Sequence, residues 1–330
     1  MPQGRSASLP FDTPQSFIER IVYHVEKAIV GKRESIESAV VAFLCGGHIL
    51  LEDVPGVGKT MLVRALAKTV GASFKRIQCT PDLLPSDVTG VSIYNQKTGQ
   101  FEFRPGPVMA NVVLADEMNR ASPKTQSALL EAMEEKQLTV DGETYRLPEP
   151  FVLLATQNPI EHEGTFPLPE AQLDRFLLKI RLGYPEETHE VDMLGRLQDR
   201  HPLDEVKTVL LREEWASLQR DVRQVHVEDT LKQYIVRLLS ATRAHPDVAL
   251  GASPRASFAL MRVAQAKAYC AGRGYVVPDD IKSMAVQTIA HRLVLHPDAR
   301  YTGKTAEAVV KQLIASVPVP AVRAASGGSL

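Results

Sequence analysis

Cysteine is scarce in this chain. Only Cys45, Cys79 and Cys270 occur, odd in number and far apart, which argues against a disulfide framework or a zinc-type ligand cluster and fits a reducing compartment. Net charge is nearly absent. With 38 basic against 39 acidic side chains the formal charge is -1, so no global field draws the protein to polyanions or anionic lipid, although a local basic patch stays open. Long apolar runs are missing too. No segment approaches the roughly 18 apolar residues of a membrane span, and the opening stretch MPQGRSASLPF lacks the apolar region of a signal peptide. The expectation is a soluble, cytoplasmic chain with no stable membrane insertion. Repeats and low-complexity blocks are absent as well. What remains is ordinary globular composition, 44% apolar and 23% charged over 330 residues, enough for one large or two modest domains.

The pattern changes character once along the chain. Up to about Leu182, buried-type strand runs (His48 to Leu51, Val112 to Ala115, Phe151 to Thr156, Leu177 to Leu182) alternate with helical stretches, as in a parallel sheet covered on both faces. Beyond Gly183-Tyr184-Pro185 the reading is helices only, at 186–199, 228–244, 254–271, 278–294 and 304–316. The predicted units are an α/β domain at 15–184 and an all-helical domain at 185–318, with disordered ends at 1–14 and 319–330. Two hairpins are expected inside the first domain. One runs from Ser92 to Phe103 around Lys97-Thr98-Gly99, the other from Leu138 to Leu147 around the turn dipeptide Asp141-Gly142.

The sharpest chemical signal is Leu51-Glu52-Asp53-Val54-Pro55-Gly56-Val57-Gly58-Lys59-Thr60, which follows a strand and opens a helix predicted over Met61 to Thr69. A phosphate chain needs converging backbone N–H groups, glycines that let the backbone approach, a cation near the outer phosphates and a hydroxyl for Mg²⁺. The segment supplies all four. The plain alternative is a glycine-rich turn, but Gly56, Gly58, Lys59 and Thr60 at this spacing would arise by chance in roughly one chain of this size in a hundred. One departure stands out: Asp53 occupies the first glycine position of the phosphate-loop pattern.

Downstream, the apolar run Val112-Val113-Leu114-Ala115 ends in Asp116-Glu117. Acids at the carboxyl end of a parallel strand stand where such sheets bind ligands. There Asp116 can serve the Mg²⁺ shell and Glu117 can polarise a water. On its own the pair would be read as a solvated turn; behind a phosphate loop it acquires a role. The next strand runs into Gln157-Asn158-Pro159, where Asn158 can reach a γ-phosphate or the attacking water, against the alternative of an Asn-Pro turn. Of the nine histidines His162 lies nearest in sequence, but no second ligand stands at metal spacing, so it reads as structural or solvent-exposed.

This constellation resembles the AAA+ ATPases, and its details resemble the MoxR family within them. The likeness is carried by LLEDVPGVGKT (50–60), VVLADEMNRASPKTQSALLEAMEE (112–135), LLATQNPIEHEGTFPLPEAQLDRFLLKIRL (153–182) and GASPRASFALMRVAQAKA (251–268), nearly the whole chain. The resemblance implies an AAA+ P-loop domain, its parallel sheet sandwiched by helices with two inserted β-hairpins, plus a small helical lid. It implies ATP and Mg²⁺ as ligands, the nucleotide touching Val30, Gly31 and Pro55, Gly56, Val57, Gly58, Lys59, Thr60 and Met61, the metal Thr60 and Asp116. It also implies Asp116 and Glu117 as the Walker B pair, Asn158 as sensor 1, Arg175 as an arginine finger and Arg255 as sensor 2. Arg175 falls at a predicted helix-to-strand junction, with pairing to Asp174 or Glu170 as its plain alternative. Arg255 follows the cap pair Ser253-Pro254, and Arg243 or Arg262 would serve as well on sequence alone. Arg120 is a second candidate for an interface cation.

Three functions compete. The resemblance implies a hexameric, chaperone-like ATPase whose usual client carries a von Willebrand factor A domain. This chain has no Asp-x-Ser-x-Ser signature of such a domain, so that partner would be a separate polypeptide. A nucleic-acid motor would want cations on the second hairpin, where Asp141-Gly142-Glu143 stands instead. A magnesium-chelatase-type subunit would share the site and differ only in client.

Overall fold

A computed structural model describes residues 14–158, 164–197 and 201–320. The chain opens with helices α1 (Pro14–Glu26) and α2 (Arg33–Cys45), then enters strand β1 (Ile49–Glu52) and helix α3 (Lys59–Thr69). There follow β2 (Phe74–Gln78), α4 (Pro85–Thr89), the hairpin β3 (Gly90–Asn95) and β4 (Gln100–Pro105), β5 (Val112–Asp116) and α5 (Pro123–Glu135). A second hairpin, β6 (Gln137–Val140) and β7 (Glu143–Arg146), precedes β8 (Val152–Gln157), α6 (Glu170–Leu173) and β9 (Leu178–Ile180). The rest is α7 (Glu187–Leu197), α8 (Arg212–Val222), α9 (Asp229–Arg243), β10 (Val248–Leu250), α10 (Pro254–Cys270), α11 (Pro278–Ile289), β11 (Val294–Leu295), α12 (Pro297–Tyr301) and α13 (Ala306–Ser316).

Five parallel strands form the central sheet in the order β2-β5-β8-β1-β9. Alternation along each strand divides the core in two. Ile49, Leu51, Val112, Leu114, Val152 and Leu154 face one apolar cluster, while Leu50, Val113, Ala115, Leu153 and Ala155 face the other. Each large side chain so buried contributes on the order of 1.5–3 kcal/mol. Helix α3 presses Leu62, Val63 and Leu66 into the first cluster, which fixes the loop between β1 and α3 against the sheet.

His48, just before β1, locks this face from within. Its Nδ1 accepts from Leu153 N at 2.9 Å, so Nε2 carries the proton and donates to Met133 O at 3.1 Å. Burial holds its pKa down at about 4, against an ordinary 6.5; His291, buried on the Phe176 carbonyl, is depressed by burial in the same direction. A folded pKa below the unfolded one means stability that is full above pH ~6.5 and is lost as pH falls toward 4. His48 alone then costs about 2 kcal/mol by pH 5. The urea midpoint is expected to fall markedly between pH 7.5 and pH 5, and an unchanged midpoint would show that these rings are not held neutral.

Both expected hairpins form. In the second, Asp141 and Gly142 take φ of 51° and 84°, as a two-residue hairpin turn requires. Phe103 and Tyr145 stack at 4.0 Å between ring centroids and join the two hairpins.

The reading of helices alone after Pro185 is corrected. Val248–Leu250 pairs antiparallel with Val294–Leu295, and the helix expected to reach residue 294 ends at Ile289, followed by a 3-10 turn at Ala290–Arg292. These strands are too short to show alternation. Helix α8 was not expected, and its attachment is a long-range one. Trp215 donates Nε1–H to Phe43 O at 3.0 Å and stacks on the Phe43 ring, tying this helical unit to α2. Strand β2 was also unexpected, because at the sheet edge it exposes Lys75, Arg76 and Gln78. Helix α3 begins two residues before the predicted Met61, and α13 begins at Ala306, capped by Thr305. Apart from Pro14, Val319 and Pro320, the ends expected to be disordered lie outside the described residues, as do His162 and the last residues of the 186–199 helix.

Candidate nucleotide site

The order of the central strands decides what meets what. β8 lies between β1 and β5, in register Leu51↔Thr156 on one side and Ala115↔Ala155 on the other. The loop after β1, the acids ending β5 and Asn158 just past β8 therefore emerge side by side at the carboxyl edge. They line one cavity of about 410 Å³ with Pro55, Gly56, Gly58, Lys59, Thr60, Met61, Asp116, Glu117, Arg76 and Thr156, within the roughly 300–1,000 Å³ range of small-molecule sites.

The loop needs its glycines for backbone reasons. Gly56 and Gly58 have φ of 84° and 92°, where a Cβ is strained whatever the space. Gly58 is the N-cap of α3 and has no capping side chain, leaving the first N–H groups of that helix for an anion. Lys59 Nζ donates to the loop's own carbonyls, Asp53 O at 2.6 Å and Val54 O at 3.1 Å. Asp53 explains its departure from glycine. Its Oδ2 accepts from Leu182 N and Gly183 N, each at 2.6 Å, and its Oδ1 from Val54 N, so a buried carboxylate clamps the start of the loop to the chain leaving β9.

Asp116 is held from two sides. Its Oδ2 accepts from Arg76 Nε and Nη2 at 2.9 and 2.6 Å, and its Oδ1 from Thr156 Oγ1 at 2.6 Å. The same Thr156 oxygen accepts from Glu117 N at 2.7 Å. Glu117 has φ 56°, ψ 47°, a left-handed conformation costing a non-glycine residue roughly 1–2 kcal/mol. Such strain gathers where side-chain aim matters. Arg120 donates to Glu117 Oε2 at 3.1 Å. Thr60 and Asp116 fit Mg²⁺, since a hydroxyl and one carboxylate are hard oxygen donors of the kind that ion takes alongside phosphate. Among the described residues no group of three or more His, Cys, Asp or Glu could hold a metal by itself.

A second cavity, of about 370 Å³, lies on the other side of the same loop and shares Pro55, Gly56, Gly58 and Met61 with the first. Val57 and Val30 line it, with Ile29, Tyr184, Pro185 and Met193. Gly31 does not. A Cβ there would strike the His189 ring of α7, so Gly31 serves the packing of that helix beside the cavity.

Arg175 and Arg255 are not at either cavity. They line a third, of about 390 Å³, that shares no residue with the first. Arg175 sits between α6 and β9, bonded to Leu130 O at 3.0 Å and paired with Glu134 at 2.9 Å, not with Asp174 or Glu170. Arg255, whose N–H is capped by Ser253 Oγ at 3.1 Å, reaches the same Glu134 at 2.6 Å. Asp174 is engaged elsewhere, with buried Arg292 at 2.7 Å and Ser253 at 2.8 Å.

Arg76 and Thr156 are the site residues that sequence reasoning missed. Thr156 carried a faint signal, a hydroxyl in an otherwise apolar strand; Arg76 carried none, since its contact with Asp116 spans 40 residues.

Known proteins carry the same architecture. A family model described as the ATPase family associated with various cellular activities (AAA) matches residues 48–178, and a model of the AAA lid domain matches 240–313. Over 306 residues the chain is 57% identical to YeaC of Bacillus subtilis, itself described as uncharacterized, covering 93% of this chain and 96% of that one. It is 41% identical to the chaperone MoxR1 of Mycobacterium tuberculosis over 98% of this chain and 90% of the relative. A solved structure from Cytophaga hutchinsonii, described as a candidate ATPase, superposes with a TM-score of 0.87 at 40% identity, covering 93% of this chain and 96% of that one.

Proposed function

The chain belongs to the MoxR family of AAA ATPases, and from that premise we propose that it hydrolyses Mg·ATP as a ring-forming, chaperone-like remodeller of partner proteins. The observation that carries the reading is the convergence of the Gly56–Thr60 loop, Asp116, Glu117 and Asn158 on one cavity. The loop N–H groups and Lys59 hold the outer phosphates, Thr60 and Asp116 hold the metal, and Met61, Val30 and the apolar second cavity take the base. A bound Mg²⁺ supplies positive charge to the phosphate oxygens. Glu117 draws a proton from the attacking water, and Asn158 orients that water or the γ-phosphate.

Arg175 and Arg255 belong to a neighbouring subunit's reaction under this reading. Lining a cavity with no residue in common with the phosphate site of their own chain, they are suited to meet a nucleotide presented by the next protomer. An interface of this head-to-tail kind closes into a ring or runs on as a filament, and the family resemblance favours six members. Chaperone MoxR1, 41% identical, supports a protein client; a von Willebrand factor A domain in a separate chain is the form that client takes here. The two domains divide at Gly183 to Pro185, with the α/β unit at 15–184 and the lid at 185–318.

The hairpins favour a protein client over nucleic acid. Phe101, Phe103 and Tyr145 line a groove between them in which, among the described residues, the only charged lining residues are Asp141 and Glu143, a rim that repels a phosphate backbone. Purified protein is expected to release phosphate from Mg·ATP at a rate that single- or double-stranded DNA leaves unchanged at physiological salt. A several-fold rise on adding DNA would transfer the reading to a nucleic-acid motor, and no phosphate release at all by the assembled protein would remove the ATPase assignment.

A further inference from the structure

The cavity that holds Arg175 and Arg255 is far more basic than those two residues require. Arg223 from the end of α8 and Arg262 from α10 line it as well, together with Arg292. Five guanidiniums thus meet two carboxylates. Asp174 is committed to Arg292 and Ser253, and Glu134 is shared between Arg175 and Arg255. Among the described residues neither Arg223 nor Arg262 has an ion-pair partner, Arg262 reaching only Gln265 Oε1 at 3.4 Å and the face of Phe258, 5.0 Å from the ring centroid. Burial and the nearby Arg223 charge hold the Arg262 guanidinium below its usual range, so these cations stand close together against their own repulsion. Like charges gathered in a concave site without counter-charge are an arrangement that an anion stabilises, and planar guanidiniums suit phosphate oxygens through paired N–H bonds.

We propose that this cavity, between α2, α8, α10 and the α6–β9 junction, is a polyphosphate-binding site in which Arg223 and Arg262 are anion-contacting residues alongside Arg175 and Arg255. Its natural occupant is either the triphosphate of the next protomer's ATP or a free inorganic polyphosphate; the chemistry recognised is the same. The first source deepens the ring reading given above, whereas the binding itself needs neither assembly nor hydrolysis.

Inorganic tripolyphosphate is the probe, titrated calorimetrically into the full chain carrying Lys59→Ala, which weakens the chain's own phosphate loop. Binding is expected to persist, to weaken with salt, and to fall at least about tenfold when Arg223→Gln and Arg262→Gln are added, because the anion loses the charge-assisted bonds of both guanidiniums. Among the described residues neither side chain has an ion-pair partner, so the double variant should unfold close to the wild-type temperature. The exposed pair Arg212→Gln and Arg237→Gln, which removes the same charge elsewhere, should leave binding unaltered. No binding to Lys59→Ala, or equal losses from both double variants, would overturn the site. The sources separate in a chain with Lys59 intact. Slower hydrolysis in Arg223→Gln/Arg262→Gln at unchanged ATP affinity assigns the occupant to the neighbour's nucleotide, and an unchanged rate with lost tripolyphosphate binding assigns it to free polyphosphate. If the ring reading fails, only that rate arm goes with it.

Discussion

Lys59→Ala is expected to bind ATP roughly a hundredfold more weakly than wild type, because about 3 kcal/mol of charge-assisted bonding to the phosphates disappears. In the free chain Lys59 is satisfied by Asp53 O and Val54 O, so nucleotide must draw it out of its own loop. The alanine variant loses that exchange without stranding a buried charge, and its fold should survive. Glu117→Gln separates binding from chemistry. The amide keeps the volume of the side chain and leaves the bond from Glu117 N to Thr156 intact. Affinity should stay near wild type while turnover falls about 10²–10⁴-fold, the usual worth of a positioned general base. Equilibrium binding of a fluorescent ATP analogue and steady-state phosphate release measure the two halves. Wild-type turnover by Glu117→Gln would remove the base assignment, and undiminished binding by Lys59→Ala would remove the loop assignment.

Arg175→Ala is the second large effect, with the opposite division from Lys59→Ala. Arg175 lies outside its own chain's phosphate cavity, so ATP affinity should be nearly unchanged. Hydrolysis should fall on the order of 10³-fold, the lower end of what a cation supplied from a neighbouring subunit contributes to phosphoryl transfer. The fold should tolerate the change because Glu134 keeps its partner Arg255. A shared site has a further signature. In a mixture of Arg175→Ala with Glu117→Gln, a Glu117→Gln subunit offers its intact Arg175 to a neighbour with an intact Glu117. Activity above the sum of the separate variants is therefore expected once subunits exchange. Full activity of Arg175→Ala in an assembled ring would make that residue a surface arginine.

Much of the nucleotide cavity was legible because its parts are written contiguously. The Gly56–Thr60 loop carries its backbone requirement in two glycines, and Asp116 and Glu117 end an unbroken apolar strand. The sheet then brought these segments together with Asn158 by placing β8 between β1 and β5, an order that the buried runs do not state. What was not legible depends on contacts between distant segments. Arg76 lies on an edge strand whose exposed Lys75 and Gln78 mask its β character, and only the pairing of β2 with β5 puts it on Asp116. Asp53 looked like a defect in a glycine position until the chain leaving β9 supplied the N–H groups it accepts. The convergence of Arg175 and Arg255 on one Glu134 joins the α6–β9 junction and the start of α10 to the end of α5; sequence periodicity says nothing about such long-range meetings. The strands β10 and β11 and the helix α8 were missed for the same reason, since short or amphipathic segments declare themselves only through partners such as Phe43 for Trp215.

A site shared between subunits makes hydrolysis depend on assembly, so dilution separates it from a self-contained site. Phosphate release per chain at saturating Mg·ATP is followed from assembled protein down to concentrations at which single-molecule mass measurement shows monomers. The rate per chain is expected to collapse as the rings come apart, because a shared site leaves each Glu117 without the Arg175 of a neighbour. A rate per chain that stays constant down to the demonstrated monomer would show that each site works alone.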